Sequence, residues 1–361
     1  MSNKKKVAIL YGGRSVEHAV SVNSARNIYE YIDKSKFEPV ALGISKSGQW
    51  FLTAGVSKDI DQGKALGLIL DPGSPGFILQ SSGDRFKVDV IFPVLHGTDG
   101  EDGSIQGLIK AMDIAMVGTG VLGSALSMNK IVAKRLMKQA GLPVTDFLSY
   151  SYQDKDNIKF ATIAKKLGVP FMVKSASLGS SVGVTKVKTK ADFQKAVEVA
   201  FQYDDEMLVE EFVSGREIEC AVLGNEPAEA SNPGEIVISK SYEFYTFDAK
   251  YVDPDAVQIH VPAKLSKPVA EKIRAVSKKA FEALHCQDFS RVDLFLDKKG
   301  KIYINEINTI PGFTNSSMYP MMWKERGISF SELITRLLNL AEERYNRGKR
   351  VERDFQSSLK F

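Results

Sequence analysis

The chain has 361 residues, 43% hydrophobic and 25% charged, with a formal net charge of +4. That length exceeds what one hydrophobic core normally serves, so two or three domains with a cleft between them are expected, and the composition excludes a largely disordered protein. The positive charge is spread along the sequence, so Lys4-Lys5-Lys6 and Lys298-Lys299 read as solvated faces, and nucleic-acid binding gains no support.

Residues 1–122 alternate apolar strands with helical patterns: Val7 to Tyr11, a helix from about Glu17 to Ile32, Pro39 to Ile44, Val88 to Leu95, and Ala115 to Val117. This rhythm predicts a parallel sheet covered by helices, with surface connections at Asp71 to Gly76 and Ser81 to Gly83. The run Val7 to Tyr11 is too short for a signal peptide and nothing approaches a membrane span, so a cytoplasmic location is expected. A single helix from about Ser124 to Gln139, stopped by Gly141 and Pro143, leads into a second domain. Strands follow at Pro170 to Lys174 and Met207 to Val213, with a helix at Ala191 to Phe201 between them. After Gly215 the pattern gives strands near Glu217 to Leu223 and Glu235 to Ser241, a long loop, and a helix from about Ser266 to Leu284. A hairpin and a closing helix from about Phe330 to Tyr345 complete the chain, and the charged stretch beyond carries no functional signal. Cys220 and Cys286 form no CxxC pair and read as buried, reduced thiols.

The hairpin is the most informative segment. Strands Phe289 to Asp297 and Lys301 to Asn308 flank a Lys299-Gly300 turn, and pairing outward sets Asp293 opposite Glu306 and Arg291 opposite Asn308, all four on one face. Opposed carboxylates repel, so something positive belongs between them, and the oxygen donors Asp293, Glu306 and Asn308 suit Mg2+. A plain hairpin with a solvated polar face is the other reading.

Upstream, Lys174 and the small residues Gly179 to Gly183 form a loop between two strands through which backbone amides approach an anion. It lacks the GK[ST] of a Walker A motif. Lys130 on the preceding helix could reach the same phosphates, although a plain turn remains the alternative. The extended segment Glu210-Glu211-Phe212-Val213 can offer backbone groups to a purine edge, with Phe212 over the ring and Glu217 at the ribose hydroxyls. Gly12-Gly13 lacks the GxGxxG of a dinucleotide site, and Gly97 to Gly103 departs from calcium-loop spacing. His18 and His285 read as surface or core residues. His96 differs, since it ends a strand and opens a Gly-rich loop, where ligand-binding groups collect in α/β sheets.

Taken together, Lys174, the Gly179 to Gly183 loop, Glu210 to Val213, Arg291-Val292-Asp293 and Glu306-Ile307-Asn308 resemble the ATP-grasp fold. The segments Gly12 to Ser21 and His96 to Gly107 narrow the resemblance to the D-alanine–D-alanine ligases of bacterial cell-wall synthesis, over residues 7 to 335. The resemblance implies an α/β and α+β architecture: a Rossmann-like domain at 1–122 that binds substrate, a central ATP-grasp subdomain at 123–213, and a C-terminal subdomain at 214–361 bearing a lid and the metal site. It further implies ATP held by Lys130, Lys174, Ser180, Ser181, Val182, Glu210 to Val213, Glu217 and Phe295. Two Mg2+ or Mn2+ ions would sit on Asp293, Glu306 and Asn308, with Glu306 bridging.

In the implied mechanism a D-alanine carboxylate attacks the γ-phosphate, and the amine of a second D-alanine then displaces phosphate. Glu17 would pair with the first ammonium, and His96 would lie near its carboxylate. Arg291, Ser317 and Met318 would hold the second D-alanine, while Arg291 and the Gly312 amide would face the oxyanion. Tyr251 on the lid would link to Ser180 and Glu17, with Lys250 beside it. Ala249-Lys250-Tyr251 favours a dipeptide over a D-lactate product. Ser175, in place of a proline, and Met318-Tyr319, in place of Leu and another apolar residue, depart from the commonest pattern. A homodimer formed through the N-terminal domain is implied, and neither nucleic acid nor membrane is expected as a partner. Another ATP-grasp ligase and a non-catalytic ATP-binding module remain as alternatives.

Overall fold

A computed structural model describes residues 4–239, 253 and 256–352, which carry three sheets. The first contains β1 (Lys5–Gly12), β2 (Phe37–Ile44), β3 (Trp50–Thr53), β4 (Lys64–Ile69), β5 (Gly76–Leu79), β6 (Arg85–Phe86), β7 (Val90–Pro93) and β8 (Ala115–Met116), in the order β6-β5-β4-β3-β2-β1-β7-β8. Pairing is parallel across β2-β1-β7-β8, as the strand and helix rhythm predicts, and antiparallel from β2 out to β6. The antiparallel extension was not expected from the sequence. Its strands are short, and Gly67 interrupts the apolar run of β4, so the period-two signal barely rises above that of a loop.

β1 is buried on both faces: Val7, Ile9 and Tyr11 enter one core, and Ala8 and Leu10 the other. Helix α1 (His18–Tyr31) packs on the first of these faces, and α2 (Ser104–Ala111) precedes β8. The single helix expected over 124–139 is two: α3 (Val121–Met128) and α4 (Lys130–Gln139). Asn129 makes the break, because its side-chain oxygen accepts from the Ile131 and Val132 amides and caps the second helix. That break re-aims α4 so that Lys130 opens it.

The second sheet is antiparallel, β11-β10-β12-β9, from β9 (Phe147–Ser151), β10 (Phe171–Ser175), β11 (Val184–Val187) and β12 (Glu206–Glu211). Helices α5 (Phe160–Leu167) and α6 (Lys190–Tyr203) cover the face that carries Phe171, Val173, Met207 and Val209. The opposite face carries Met172, Lys174, Leu208 and Glu210. The third sheet, also antiparallel, is built from β13 (Gly215–Leu223), β14 (Glu229–Ala230), β15 (Gly234–Ile238), β16 (Val257–His260), β17 (Phe289–Asp297) and β18 (Ile302–Asn308). Helices α3, α4 and α7 (Lys267–Ala283) back it. Finally α8 (Met318–Glu325) packs on β13, and α9 (Phe330–Gly348) returns to the first sheet at β7 and β8.

The first and third sheets share one core. Phe92 meets Phe289 and Phe313 edge-on, at ring centroid distances of 6.3 and 5.9 Å. A charged tie lies beside it. Asp288, fully buried, accepts from Arg344 Nη2 at 2.9 Å, from the Gly118 amide at 2.8 Å and from Asn225 Nδ2 at 3.2 Å. Arg344 also donates to the carbonyls of Met116 and Gly118. Removing one partner of a buried pair leaves the other uncompensated, so Arg344→Ala should lower stability by about 3 kcal/mol. Chemical denaturation of the variant checks this, and a loss below about 1 kcal/mol would mean that Asp288 is held well enough by its remaining donors.

Candidate active site

A cleft of about 400 Å³ opens between the second and third sheets. Of the residues expected at a nucleotide, Lys130, Lys174, Ser180, Ser181, Glu210, Glu211, Phe212, Val213, Glu217 and Phe295 line it. Val182 is not among its lining residues, and its amide donates to the Gly179 carbonyl at 3.1 Å. Lys186 lies over the Phe212 ring, 3.9 Å from its centroid.

The hairpin register sets Arg291 opposite Asn308 and Asp293 opposite Glu306, and of these four Asp293 and Glu306 line the cleft. Beyond that pair the register shifts, so that Leu294 faces Ile304 and Asn305 is the extra residue of a bulge. Without the bulge, alternation would turn Asn305 away from Glu306. With it both line the cleft, and Asn305 Oδ1 accepts from Lys174 Nζ at 3.1 Å. The opposed carboxylates are offset by side chains. Arg291 grips Asp293 with two bonds of 2.7 Å, Asn308 Nδ2 donates to Asp293 Oδ2 at 2.9 Å, and Lys130 Nζ lies 3.3 Å from Glu306 Oε2. Arg291 also pairs with Glu219 Oε2 at 3.0 Å.

The Lys174 ammonium forms an ion pair with Glu210, whose other oxygen takes Lys134 Nζ at 2.9 Å and the Thr145 hydroxyl at 2.8 Å. Burial alone would raise the Glu210 carboxyl, but the two ammonium groups hold it well below the usual carboxylate range. Burial works against the Lys174 charge and is outweighed by the Glu210 and Glu306 carboxylates, which keep its pKa raised. For Lys134 burial wins and the pKa is lowered. With its side chain engaged in this way, Glu210 has only its backbone to offer a purine.

Glu17, just before α1, receives the Ser180 hydroxyl from the loop above it. Its carboxylate fits because two glycines make room: a Cβ on Gly97 would stand 2.5 Å from Glu17 Oε2, and one on Gly179 2.9 Å. Ser180 and Ser181 both adopt left-handed φ values, 53° and 58°, uncommon for residues with a side chain. His96 is buried, donates through Nδ1 to the Ile310 carbonyl at 2.9 Å, and receives the Ser24 hydroxyl at Nε2 at 3.2 Å. Burial lowers its pKa against the pull of Glu17. Ser24 in turn accepts the Phe313 amide at 3.2 Å, so α1 and the His96 loop together hold the segment containing Gly312. Ser317 caps the turn before α8 by accepting the Thr314 amide at 3.1 Å, and its Oγ stands 3.2 Å from where a Gly312 Cβ would lie. The Met318 side chain is buried against Gly234, which leaves its backbone amide at the start of α8 as its polar offering. Tyr251 and Lys250 lie outside the described residues.

Comparison with known proteins gives the same assignment along the whole chain. Residues 6–119 match the family model for the D-ala D-ala ligase N-terminus, and residues 136–339 match that for the C-terminus. The chain belongs to the D-alanine–D-alanine ligase family.

Among relatives, it is 44% identical to the D-alanine–D-alanine ligase of Oceanobacillus iheyensis, covering 97% of this chain and 98% of the relative. It is also 44% identical to D-alanine–D-alanine ligase A of Escherichia coli, covering 95% and 97%. Among solved structures, the D-alanine–D-alanine ligase of Coxiella burnetii superposes with a TM-score of 0.84 at 34% identity, over 96% of this chain and 98% of that one. The VanG D-Ala:D-Ser ligase of Enterococcus faecalis superposes with a TM-score of 0.85 at 35% identity, over 94% and 100%. The fold is ATP-grasp.

Several groups at this ligase's site were not found from sequence. Glu219 was detectable, because it shares the period-two face of Glu217 and pairs across to Asp293. Lys134 follows Lys130 by one helical turn, which is a signal for a shared face but not for a partner on another sheet. Glu101 carries no pattern at all. Its oxygens accept the amides of Gly97 and Ile310 at 2.8 and 2.9 Å, while burial, with repulsion from Glu17 second, pushes its pKa up to about 8. The folded chain therefore holds a proton that the unfolded chain releases above the ordinary value of 4.5, and stability falls as pH rises from there to about 8. Glu101→Gln should remove that slope. Melting midpoints of both proteins at pH 6 and 8.5 test it: the wild type should lose more on the move to 8.5, and equal losses would mean that Glu101 is already ionised at pH 6.

Proposed function

We propose that this chain joins two D-alanine molecules, using ATP, into D-alanyl-D-alanine for peptidoglycan precursor synthesis, through a D-alanyl phosphate. The observation that carries the reading is the contact between the first-sheet domain and the nucleotide cleft. Glu17 takes the Ser180 hydroxyl from the loop that lines the cleft, and Asp293, which also lines it, is gripped by Arg291.

The first D-alanine binds with its ammonium on Glu17 and its carboxylate toward His96. That carboxylate attacks the γ-phosphorus of ATP: an O–P bond forms, the bond to ADP breaks, and Lys130, Lys174 and the loop amides of Ser180 and Ser181 orient the phosphates. The amine of the second D-alanine, held by Arg291 and by the Ser317 and Met318 end of α8, attacks the acyl carbon. The carbonyl oxygen gains charge toward Arg291 and the Gly312 amide, and phosphate then leaves with its bonding pair.

Two Mg2+ or Mn2+ ions are read on Asp293, Glu306 and Asn308, a set of hard oxygen donors in which two carboxylates leave the remaining positions to phosphate oxygens. Bound there, a divalent ion supplies neutralisation of phosphate charge. No helix among the described residues is long and apolar enough to cross a membrane. The site is read as that of a cytoplasmic homodimer, an assembly that sedimentation would check.

Phosphate release with ATP and Mg2+ tests the activity, comparing D-alanine, L-alanine, and D-alanine with D-lactate, with products identified by mass. Release on D-alanine alone with a D-alanyl-D-alanine product is expected, and a depsipeptide or no turnover would overturn the assignment. Arg291→Ala should cost about 2.7 to 4 kcal/mol in barrier, a hundredfold or more in kcat, and near wild-type turnover would remove Arg291 from the reaction. Glu17→Gln should raise the KM for the first D-alanine, and an unchanged KM would refute its pairing with the ammonium.

A further inference from the structure

Lys134 is 1% exposed and does not line the cleft, yet it is built into the cleft's charge system. β10 and β12 pair so that Met172 faces Glu210 and Lys174 faces Leu208, which sets Lys174 and Glu210 diagonally on one face. On the other side of Glu210, Lys134 reaches in from α4, one turn after Lys130. The carboxylate thus bridges two ammonium groups, one wholly buried and one directed into the cleft beside Asn305. Burial lowers the Lys134 pKa and the Glu210 carboxylate 2.9 Å away pulls against it; that ion pair, with a second bond from the ammonium to Thr145 Oγ1 at 2.9 Å, holds the charge on Lys134.

We infer that Lys134 is a positioning residue for the nucleotide's phosphates: it offsets the charge of Glu210 so that Lys174 presents an uncancelled positive charge to the cleft. The charge balance is simple. The three groups sum to +1, whereas Lys174 with Glu210 alone sums to zero. Without Lys134, Lys174 would be drawn fully onto Glu210, and its attraction for a polyphosphate would be cancelled over any distance longer than the pair itself. The effect is specific to phosphate charge, since Lys134 touches no surface that a purine or ribose could reach. The inference rests on the reading of Lys174 as a phosphate-binding group.

Lys134→Met keeps the unbranched stem and leaves Glu210 paired to Lys174, so no buried charge is orphaned. Calorimetric dissociation constants for ATP and adenosine on the full chain, read as their ratio, separate a charge effect from a general loosening. In Lys134→Met, ATP binding should weaken on the order of tenfold with adenosine nearly unchanged, and KM for ATP should rise more than kcat falls. The double variant Lys134→Met/Glu210→Gln restores the sum of +1 and should recover the ratio. It also carries the test if the single variant does not fold.

Equal weakening of ATP and adenosine in Lys134→Met, or a ratio lost by tenfold in the double variant, would overturn the inference. Lys174→Met distinguishes the two readings. A ratio that falls there and not in Lys134→Met sinks only the role of Lys134, while a ratio unchanged in Lys174→Met sinks the phosphate reading of Lys174 as well.

Discussion

Two carboxylates face each other across the β17–β18 hairpin, and their repulsion is the constraint around which the site is organised. Asp293 and Glu306 are fixed in register by backbone pairing and cannot move apart. The fold answers with cations from different elements: Arg291 from the same strand onto Asp293, and Lys130 from the start of α4 onto Glu306. Those cations in turn need partners. Arg291 takes Glu219 from the neighbouring strand, and the lysines of the cleft are matched by Glu210. The outcome is an arrangement of alternating charge in which Arg291 joins Glu219 to Asp293 and Glu210 joins Lys134 to Lys174.

That arrangement has to be held across three sheets, and packing supplies the holding. The aromatic contacts of Phe92, Phe289 and Phe313 fuse the first and third sheets into one core, so that Glu17 and His96 keep a fixed position relative to the hairpin. The second sheet is attached differently. Its main core is separate, and it meets α4 through a small apolar cluster of Ile131, Ala176 and Leu208 and through polar ties near the cleft: Glu17 to Ser180, Lys130 to the Leu178 carbonyl, and Lys174 to Asn305. A large apolar core fuses the first and third sheets, whereas a small cluster and a few hydrogen bonds hold the second against them.

The same division explains what could be read from the sequence. The parallel strands of the first sheet and the helix after Gly12-Gly13 follow from periodicity and turn chemistry, which act over a few residues. The pairing of Asp293 with Glu306 agrees with a count outward from Lys299-Gly300 because the loop is one residue longer than that turn and the bulge at Asn305 offsets the difference. Asn129 was missed as a helix break because a cap inside an apolar helical run looks like one more tolerated polar residue until its side chain is seen accepting two amides. The Asn305 bulge was missed for a related reason: counting residues outward from a turn assumes an unbroken ladder, and the extra residue changes the face of everything on one side of it. Glu101, Lys134 and Asp288 were not legible at all. Each is a buried ionisable group with a partner on another element, and no local pattern marks a residue as part of such a pairing.

Those illegible residues share a property that bears on how the site works. A buried charge costs several kcal/mol unless it is paired, so a chain that retains one gains something from it that an apolar residue would not provide. For Asp288 the gain is a tie between the closing helix and the end of the first sheet. For Glu210 and Lys134 a tie is an insufficient account, because α4 and the second sheet are already joined by the apolar cluster of Ile131, Ala176 and Leu208 and by the Lys130 amide on the Ala176 carbonyl. What the carboxylate and its two lysines add is a fixed field. Lys174 is held in one orientation by Glu210 and Asn305, and its charge is left uncancelled by the lysine behind. Preorganised charge of this kind needs no reorganisation when phosphate oxygens arrive, and in a cleft closed to water each such charge acts with more force than it would in solution.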